Sequence, residues 1–471
     1  MGYDLVIRGG RVVTGGAVVA ADIAVTDGKI AALGTGFDGS DTLDATGLVV
    51  SPGGVDPHCH IEQMSGMGLM NADTFETATR SAVMGGTTSV ISFAAQGKGQ
   101  RLSDTVADYA ARAGRGAAID HAFHLSISDP GAPEFEADLR ALIAAGHRSV
   151  KVFTTYNIGL DDAQILEILR IAGGAGALTC IHAENDAIIS ATRARLLAEG
   201  RTRPFDHAAS RPRAAEIEAV ARMCRLAEVA RAPVMIFHVS TREAVAEIAA
   251  ARARGAPIWA ETCPHYLFQT EDVLDKPGRE GAKWMCSPPQ RTQDDQQALW
   301  AGLAAGHLQV VSSDHAPYRF DETGKFSNGL DAAFPGIANG MPGLELRQPL
   351  MFDAMVSRGR LGLAGFARLT AEAPADLYGL STKGRIAPGF DADLVLWDPS
   401  RHHIYGADDL HDNVGYNPFE GTTVTGWPVA TLLRGTPVMR DGQYLGEPGA
   451  GRWLPRDAIG TKPTDLTGEM P

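Results

Sequence analysis

Short apolar runs punctuated by Gly and Asp open the chain: Leu5-Val6-Ile7, Val12-Val13, Ile23-Ala24-Val25, Ile30-Ala31-Ala32-Leu33 and Leu48-Val49-Val50. Runs of this length between turn-forming residues predict short strands. The same punctuation returns at Asp391-Ala392-Asp393-Leu394-Val395-Leu396-Trp397 and Ala430-Thr431-Leu432-Leu433, with turns at Gly435 and Asp441-Gly442. The two ends of the chain are therefore expected to share one small β-sandwich domain, residues 1–51 and 385–445. Between them short apolar runs alternate with Ala-rich stretches of helical period, the pattern of βα units around a parallel sheet. Eight such runs occur: Gly54-Val55-Asp56, Ser89 to Phe93, His121 to Leu125, Val150 to Phe153, Leu178 to His182, Val234 to His238, Ile258 to Glu261 and Val310 to Asp314. Eight parallel strands close a barrel whose chemistry sits at the C-terminal strand ends. Residues 52–384 are expected to form this α/β architecture, a (β/α)8 TIM-type barrel, with helices over Asp161 to Ala172 and Arg213 to Ala230, where apolar residues recur at spacings of three and four. Residues 446–471, rich in Pro, Gly and Thr, are expected to be an extended tail that packs on a neighbour or stays mobile.

Metal-preferring side chains fall at the C-terminal ends of five of these eight strands: His58 and His60, Lys151, His182, His238 and Asp314. A His-x-His taken alone is common by chance, and a lone strand histidine such as His124 is usually a hydrogen-bonded core residue. Barrel closure changes this, because it brings all six residues together. In Asp56-Pro57-His58-Cys59-His60 an extended backbone puts alternate side chains on one face, so both imidazoles reach one ion while Cys59 points away. Lys151 sits in the apolar run Ser149-Val150-Lys151-Val152-Phe153, where a cation would repel metal and cost desolvation. A buried amine of lowered pKa can be neutral and react with carbon dioxide, giving a carbamate whose two oxygens can bridge two metals at the separation of about 3.5–4 Å usual for two-metal hydrolases; the alternative is a lysine that snorkels to solvent from the strand end.

Composition narrows the partners. The formal net charge of −14 disfavours nucleic acid and anionic lipid, and no basic stripe is present, so a small-molecule substrate is expected, with neither a nucleic-acid nor a membrane partner. The five cysteines, Cys59, Cys180, Cys224, Cys263 and Cys286, are scattered and form no C-x-x-C pair, which points to a reducing compartment. Residues Met1 to Arg8 have no signal-peptide pattern, and no later run is apolar for the roughly 18 residues that a membrane span needs, so the expected location is cytoplasmic.

With these motifs in hand, the chain resembles the dihydropyrimidinase and hydantoinase branch of the amidohydrolase superfamily over nearly its whole length. Gly53 to His60, Lys151-Val152-Phe153, Ile181-His182-Ala183-Glu184-Asn185, His238 to Glu243 and Ser313-Asp314-His315 match that family's metal motifs in order. The resemblance implies two Zn2+, with Mn2+ or Co2+ as possible substitutes. His58, His60 and Asp314 would hold one, His182 and His238 the other, and Lys151 would bridge them as N6-carboxylysine. It implies that Asp314 moves the proton and that Tyr156 hydrogen-bonds the oxyanion. It also implies that the backbone at Ser287, in Cys286-Ser287-Pro288-Pro289, and at Asn339, in Asn339-Gly340-Met341-Pro342-Gly343, grips the amide edges of the ring. Asn413 to Pro418 and Gly449 to Arg452 match C-terminal hallmarks of the branch. A homotetramer is implied by the resemblance alone.

The implied reaction is metal-dependent hydrolysis of a cyclic amide C–N bond, opening hydantoins or dihydropyrimidines to N-carbamoyl amino acids. The alternatives are a cyclic-imide hydrolase, an allantoinase, which generally lacks the tyrosine found at 156, and a non-catalytic scaffold like the collapsin response mediators, which have lost metal ligands. Asp314-His315-Ala316-Pro317 resembles dihydroorotases, yet Glu62 stands where those enzymes carry a substrate-anchoring arginine. Gln290 replaces a usual leucine, and Met64 to Met70 is a Met-rich version of the loop covering the exocyclic substituent, where thioethers would line an adaptable apolar lid.

Overall fold

The computed structural model describes residues 2–459. The N-terminal segment supplies β1 (Tyr3–Thr14), β2 (Ala17–Thr26), β3 (Lys29–Gly34), β4 (Gly39–Asp44) and β5 (Val49–Pro52). Eight strands follow: β6 (Gly54–Cys59), β7 (Thr87–Ala95), β8 (Asp120–Ser126), β9 (Ser149–Phe153), β10 (Leu178–His182), β11 (Val234–Ile236), β12 (Ile258–Thr262) and β13 (Val310–Val311). They pair in chain order and in parallel, the βα barrel expected from the eight apolar runs. The helices Asp162–Gly174 and Arg213–Ala230 coincide with the two predicted; the first is capped by Asp161, whose side chain accepts from the Gln164 backbone N–H.

The chain ends in β14 (Leu394–Ile404), β15 (Thr423–Leu433), β16 (Thr436–Arg440) and β17 (Gln443–Tyr444). These join the N-terminal strands in one nine-stranded sheet, stitched by antiparallel pairing of Leu394–Trp397 with Val49–Pro52. The sheet forks at β1, which pairs in parallel with β4 from Tyr3 to Arg8 and with β5 at Arg11 and Val12. Its two apolar runs, expected as separate strands, are one strand with an irregularity between Ile7 and Gly10. Strand β4 is a departure from the pattern: Gly39-Ser40-Asp41-Thr42-Leu43-Asp44 is polar because it is mostly exposed. Ile7, Val12, Ile23, Val50, Leu394 and Leu432 form the domain's core.

This domain is bolted to the barrel floor by buried charges. Lys383 Nζ lies 2.5 Å from Asp120 Oδ2 at the start of β8 and 2.8 Å from Asp393 Oδ2, while Arg434, between β15 and β16, pairs with Asp120 as well. The tail departs from expectation. Its described part docks on its own barrel: His121 N–H donates to Arg452 O at 2.9 Å, Leu454 N–H donates to His121 O at 2.8 Å, and Arg456, 3% exposed, donates to Ser149 Oγ and Phe123 O at 2.6 Å each. The tail is held because the barrel floor offers it backbone and hydroxyl acceptors; residues 460–471 lie outside the described residues. Among the described residues no helix is long and apolar enough to cross a membrane.

The barrel closes without a regular ladder between β13 and β6. A single bridge joins Cys59 to His315, and His60 N–H donates to His315 O at 2.7 Å. Asp56 Oδ1 takes the backbone N–H of both His58 and Ser313, each at 3.2 Å. Behind it the fully buried Arg347 donates through Nη1 to Val55 O and Val311 O at 3.1 Å and to Thr370 O at 3.2 Å. Its Nε lies 3.4 Å from Asp56 Oδ2, an ion pair without hydrogen-bond alignment. Gly54 admits this clamp: a Cβ there would stand 1.8 Å from Gln348 Nε2 and 2.9 Å from Arg347 Nη2. Replacing Arg347 with Met leaves a buried carboxylate and three carbonyls short of donors, and is expected to cost about 3–5 kcal/mol. Chemical unfolding with a shared slope measures it; an unchanged midpoint would refute the clamp.

Candidate active site

His58 lies in β6 and His60 one residue beyond it; Lys151 lies within β9, His182 ends β10, His238 follows β11 by two residues and Asp314 follows β13 by three. The alternation expected of an extended strand holds: both imidazoles face the barrel mouth while Cys59 Sγ turns to Ile91 O, 3.7 Å away. All six line one cavity of about 380 Å³, together with Tyr156, Ser287 and Asn339. Asp314 Oδ1 is 3.0 Å from His58 Nε2 and 3.4 Å from His60 Nε2. On the other side His238 Nε2 is 2.9 Å from His182 Nδ1. His58, His238 and Asp314 each offer a ligand atom within 4.8 Å of the others, compact enough to share a cation.

Three of these residues hold left-handed backbone that non-glycine residues seldom adopt: Tyr156 at φ 70°, His238 at φ 40° and Asp314 at φ 46°. Such conformations cost on the order of 1–3 kcal/mol each and persist where surrounding structure over-determines them. Here the sharp turns leaving β9, β11 and β13 aim the side chains back over the mouth.

Partners that the sequence reading left without a role set which ring nitrogen faces inward. Glu261, at the end of β12, takes His58 Nδ1; Gln63 Oε1 takes His60 Nδ1 at 2.7 Å; Glu184 Oε2 takes His182 Nε2 at 2.8 Å. A proton committed outward leaves the lone pair of the other nitrogen facing the cavity, the arrangement that metal-ligating histidines use. A signal for Glu261 was present, since an acid closing the apolar run Ile258-Trp259-Ala260 invites the question asked of Lys151. Arg211, in a loop, gave none; it pairs with Glu184 and lays its guanidinium 4.9 Å from the centre of the Tyr156 ring.

Burial sets protonation at most of these groups; at His58 burial acts downward, but Asp314 and Glu261 outweigh it and raise the imidazole above its ordinary value. Burial pulls the Lys151 amine down to about 8 against the attraction of Cys180 and Asp314, in a setting where Nζ lies 3.9 Å from the Phe237 ring centre and 4.8 Å from that of Phe153. It pushes His182 down to about 4 and His238 well below the usual histidine range, leaving both neutral. For Glu184 burial acts upward, but Arg211 and His182 outweigh it and hold the carboxyl at about 2. Burial also opposes ionisation of Asp314, yet His58 and His60 hold it well below the carboxylate range. Burial raises Tyr156, which keeps its O–H as a donor. The neutral imidazoles of His182 and His238, a carboxylate and ring nitrogens held from behind suit divalent cations, and the buried Nδ1 of His238 has no partner among the described residues.

The departures noted in the sequence have physical roles. Glu62 Oε2 accepts from the Phe75 backbone N–H at 3.1 Å, at the start of the helix Phe75–Met84, rather than lining the cavity. Gln290 is buried and donates to Trp284 O at 3.0 Å, a structural bond. Met67 lines the cavity mouth and is 44% exposed; Met64 and Met70 flank it.

Residues 49–438 match the amidohydrolase family. A D-hydantoinase from Streptomyces coelicolor is 41% identical over 97% of this chain and 98% of its own. A solved D-hydantoinase structure superposes with a TM-score of 0.94 at 39% identity, covering 97% of this chain and 100% of that one. The crystal structure of a dihydropyrimidinase from Brevibacillus agri superposes with a TM-score of 0.93 at 38% identity, covering 97% and 99%.

If Glu261 fixes the His58 tautomer, Glu261→Ala is expected to weaken retention of a divalent cation by about 10–100-fold. Competition with a metal-binding dye measures this, and wild-type affinity would remove the role.

Proposed function

Because this chain belongs to the amidohydrolase family, and within it to the hydantoinase and dihydropyrimidinase branch, we propose that it hydrolyses a cyclic amide C–N bond, opening hydantoin or dihydropyrimidine rings to N-carbamoyl amino acids. His58, His60 and Asp314 would hold one divalent cation and His182 and His238 a second, with Lys151 bridging them as N6-carboxylysine; zinc is the first choice and Mn2+ or Co2+ its substitutes. Bound there, such cations supply Lewis acidity and lower the pKa of water towards neutrality. What carries the reading is the donor set: imidazoles, three of them held from behind by Glu261, Gln63 or Glu184, share one cavity with a carboxylate and a buried amine.

The chain's own residues do the rest. An amine held at about 8 keeps a neutral fraction at neutral pH, and that form adds to carbon dioxide, forming an N–C bond and releasing a proton to solvent. Asp314, a carboxylate, accepts the proton of the attacking water and returns it to the departing ring nitrogen. The Tyr156 hydroxyl donates to the oxygen that gains charge as the carbonyl becomes tetrahedral. The backbone at Ser287 and Asn339 orients the ring. The same resemblance supports a homotetramer, and the scattered, unpaired cysteines support a place in the cytoplasm.

A panel of dihydrouracil, 5-substituted hydantoins, succinimide-type imides and allantoin, followed by loss of ring amide absorbance with zinc and bicarbonate supplied, tests the reaction. Turnover of the first two classes is expected; preference for allantoin would overturn the choice of branch. Lys151→Ala is expected to lose metal and activity together, and retention of both would remove the bridging carbamate. Tyr156→Phe is expected to lower kcat by about 10²–10³-fold, the usual cost of one oxyanion donor; a change confined to KM would reassign Tyr156 to binding.

A further inference from the structure

Lys325 is fully buried, yet it is not among the residues lining the catalytic cavity. Its ammonium donates to Ala338 O at 3.1 Å and to Gly340 O at 2.8 Å, the two carbonyls on either side of Asn339. The grip is reinforced along the backbone, where Ala338 N–H donates to Lys325 O at 3.1 Å and Lys325 N–H donates to Arg319 O at 2.8 Å. Gly340 in turn donates to Met285 O at 2.7 Å, tying this segment to the one that carries Ser287. Gly340 stands at φ 145°, and a Cβ there would lie 2.4 Å from Ala316 O, so this turn requires glycine. Among the described residues the backbone N–H and C=O of Asn339 have no partner in the chain. The neighbouring carbonyls are thus occupied from behind and the central peptide is left free at the cavity.

We propose that Lys325 is a positioning residue for the substrate ring: by holding the carbonyls of Ala338 and Gly340 it sets the orientation in which Asn339 presents its peptide to the ring's amide edge. This rests on the function proposed above. Lysine suits the task because one nitrogen at the end of a flexible stem reaches two carbonyls that point into a dry pocket. Burial pulls the amine down to about 7, and a neutral amine still carries two N–H donors for two acceptors, so the grip survives loss of the proton. Lysine at this position would otherwise be an expensive way to fill a core, since burying a cationic side chain is unfavourable unless its hydrogen bonds are needed.

The test uses full-length protein loaded with zinc and a 5-substituted hydantoin. Lys325→Met keeps the stem and removes the donors; Lys325→Gln keeps a shorter donor. Methionine is expected to raise KM about tenfold or more, with kcat little changed and metal content equal to wild type; glutamine is expected to fall between. Wild-type KM in both variants, or a loss in kcat at unchanged KM, would overturn the proposal. Should the methionine variant fail to fold, as judged by thermal unfolding, the glutamine variant decides on the same constants. A wild-type protein that does not turn over the hydantoin would instead count against the proposed function.

Discussion

The closure of the barrel between its first and last strands is the constraint on which the site depends. Asp314 becomes a neighbour of His58 and His60 only because residues 313–315 are pinned to β6, and that seam has one bridge instead of a ladder. The missing ladder is replaced by side chains: Asp56 takes a backbone N–H from each side, and Arg347 holds carbonyls of both strands from behind. A carboxylate and a guanidinium in a dry interior are worth little as a pair but a great deal as a set of donors and acceptors that nothing else satisfies. Irregular pairing also has a use. It frees the backbone after β13 to turn sharply at Asp314, which a regular strand would not permit.

Low dielectric then does chemical work with the residues so gathered. The same burial depresses the lysine and the inner histidines and raises the tyrosine, so each group is driven towards its neutral form. The exceptions are groups with dedicated partners of opposite charge: Glu184 against Arg211, Asp314 against His58 and His60, and His58 itself, which burial pulls down but Asp314 and Glu261 raise. Neutral nitrogens, a protonated phenol and an ionised carboxylate side by side are the states that metal binding, oxyanion stabilisation and proton transfer require.

Much of this was legible in the sequence. Barrel strands are buried on both faces, so they read as continuous apolar runs, and a histidine, lysine or aspartate ending such a run stands out. Strand β4 was not legible because its polar, exposed residues carry no alternation. Residues 446–459 read as an extended tail that packs on a neighbour or stays mobile, because their binding to the barrel uses backbone groups and one arginine, Arg456, which leave no mark on composition. Glu261 and Glu184 were visible as residues but not as roles, since which ring nitrogen they engage depends on geometry. Arg211 and Lys325 sit in loops and act on a carboxylate and on carbonyls that only the fold brings near.

These differences divide the site into two mechanical halves. Histidines, lysine and aspartate stand on or just past strands whose positions the barrel fixes, and their identities are those that the proposed ligation calls for. Tyr156, Ser287 and Asn339 stand on loops, which a barrel tolerates in many lengths and sequences. Loops hold a ring to within a fraction of an ångström only if something rigid stands behind them. In this chain that support is a set of buried polar side chains: Arg211 against Tyr156, His207 with Nε2 2.8 Å from Cys286 O beside Ser287, and Lys325 against the carbonyls around Asn339. Under the proposed function, substrate choice can therefore change by loop substitution without disturbing the proposed ligand set, provided each new loop keeps an anchor of this kind. Met67 is exposed at the mouth, its loop held by Asn157, which donates to Gly66 O at 2.9 Å, and its flexible thioether is suited to an adaptable wall.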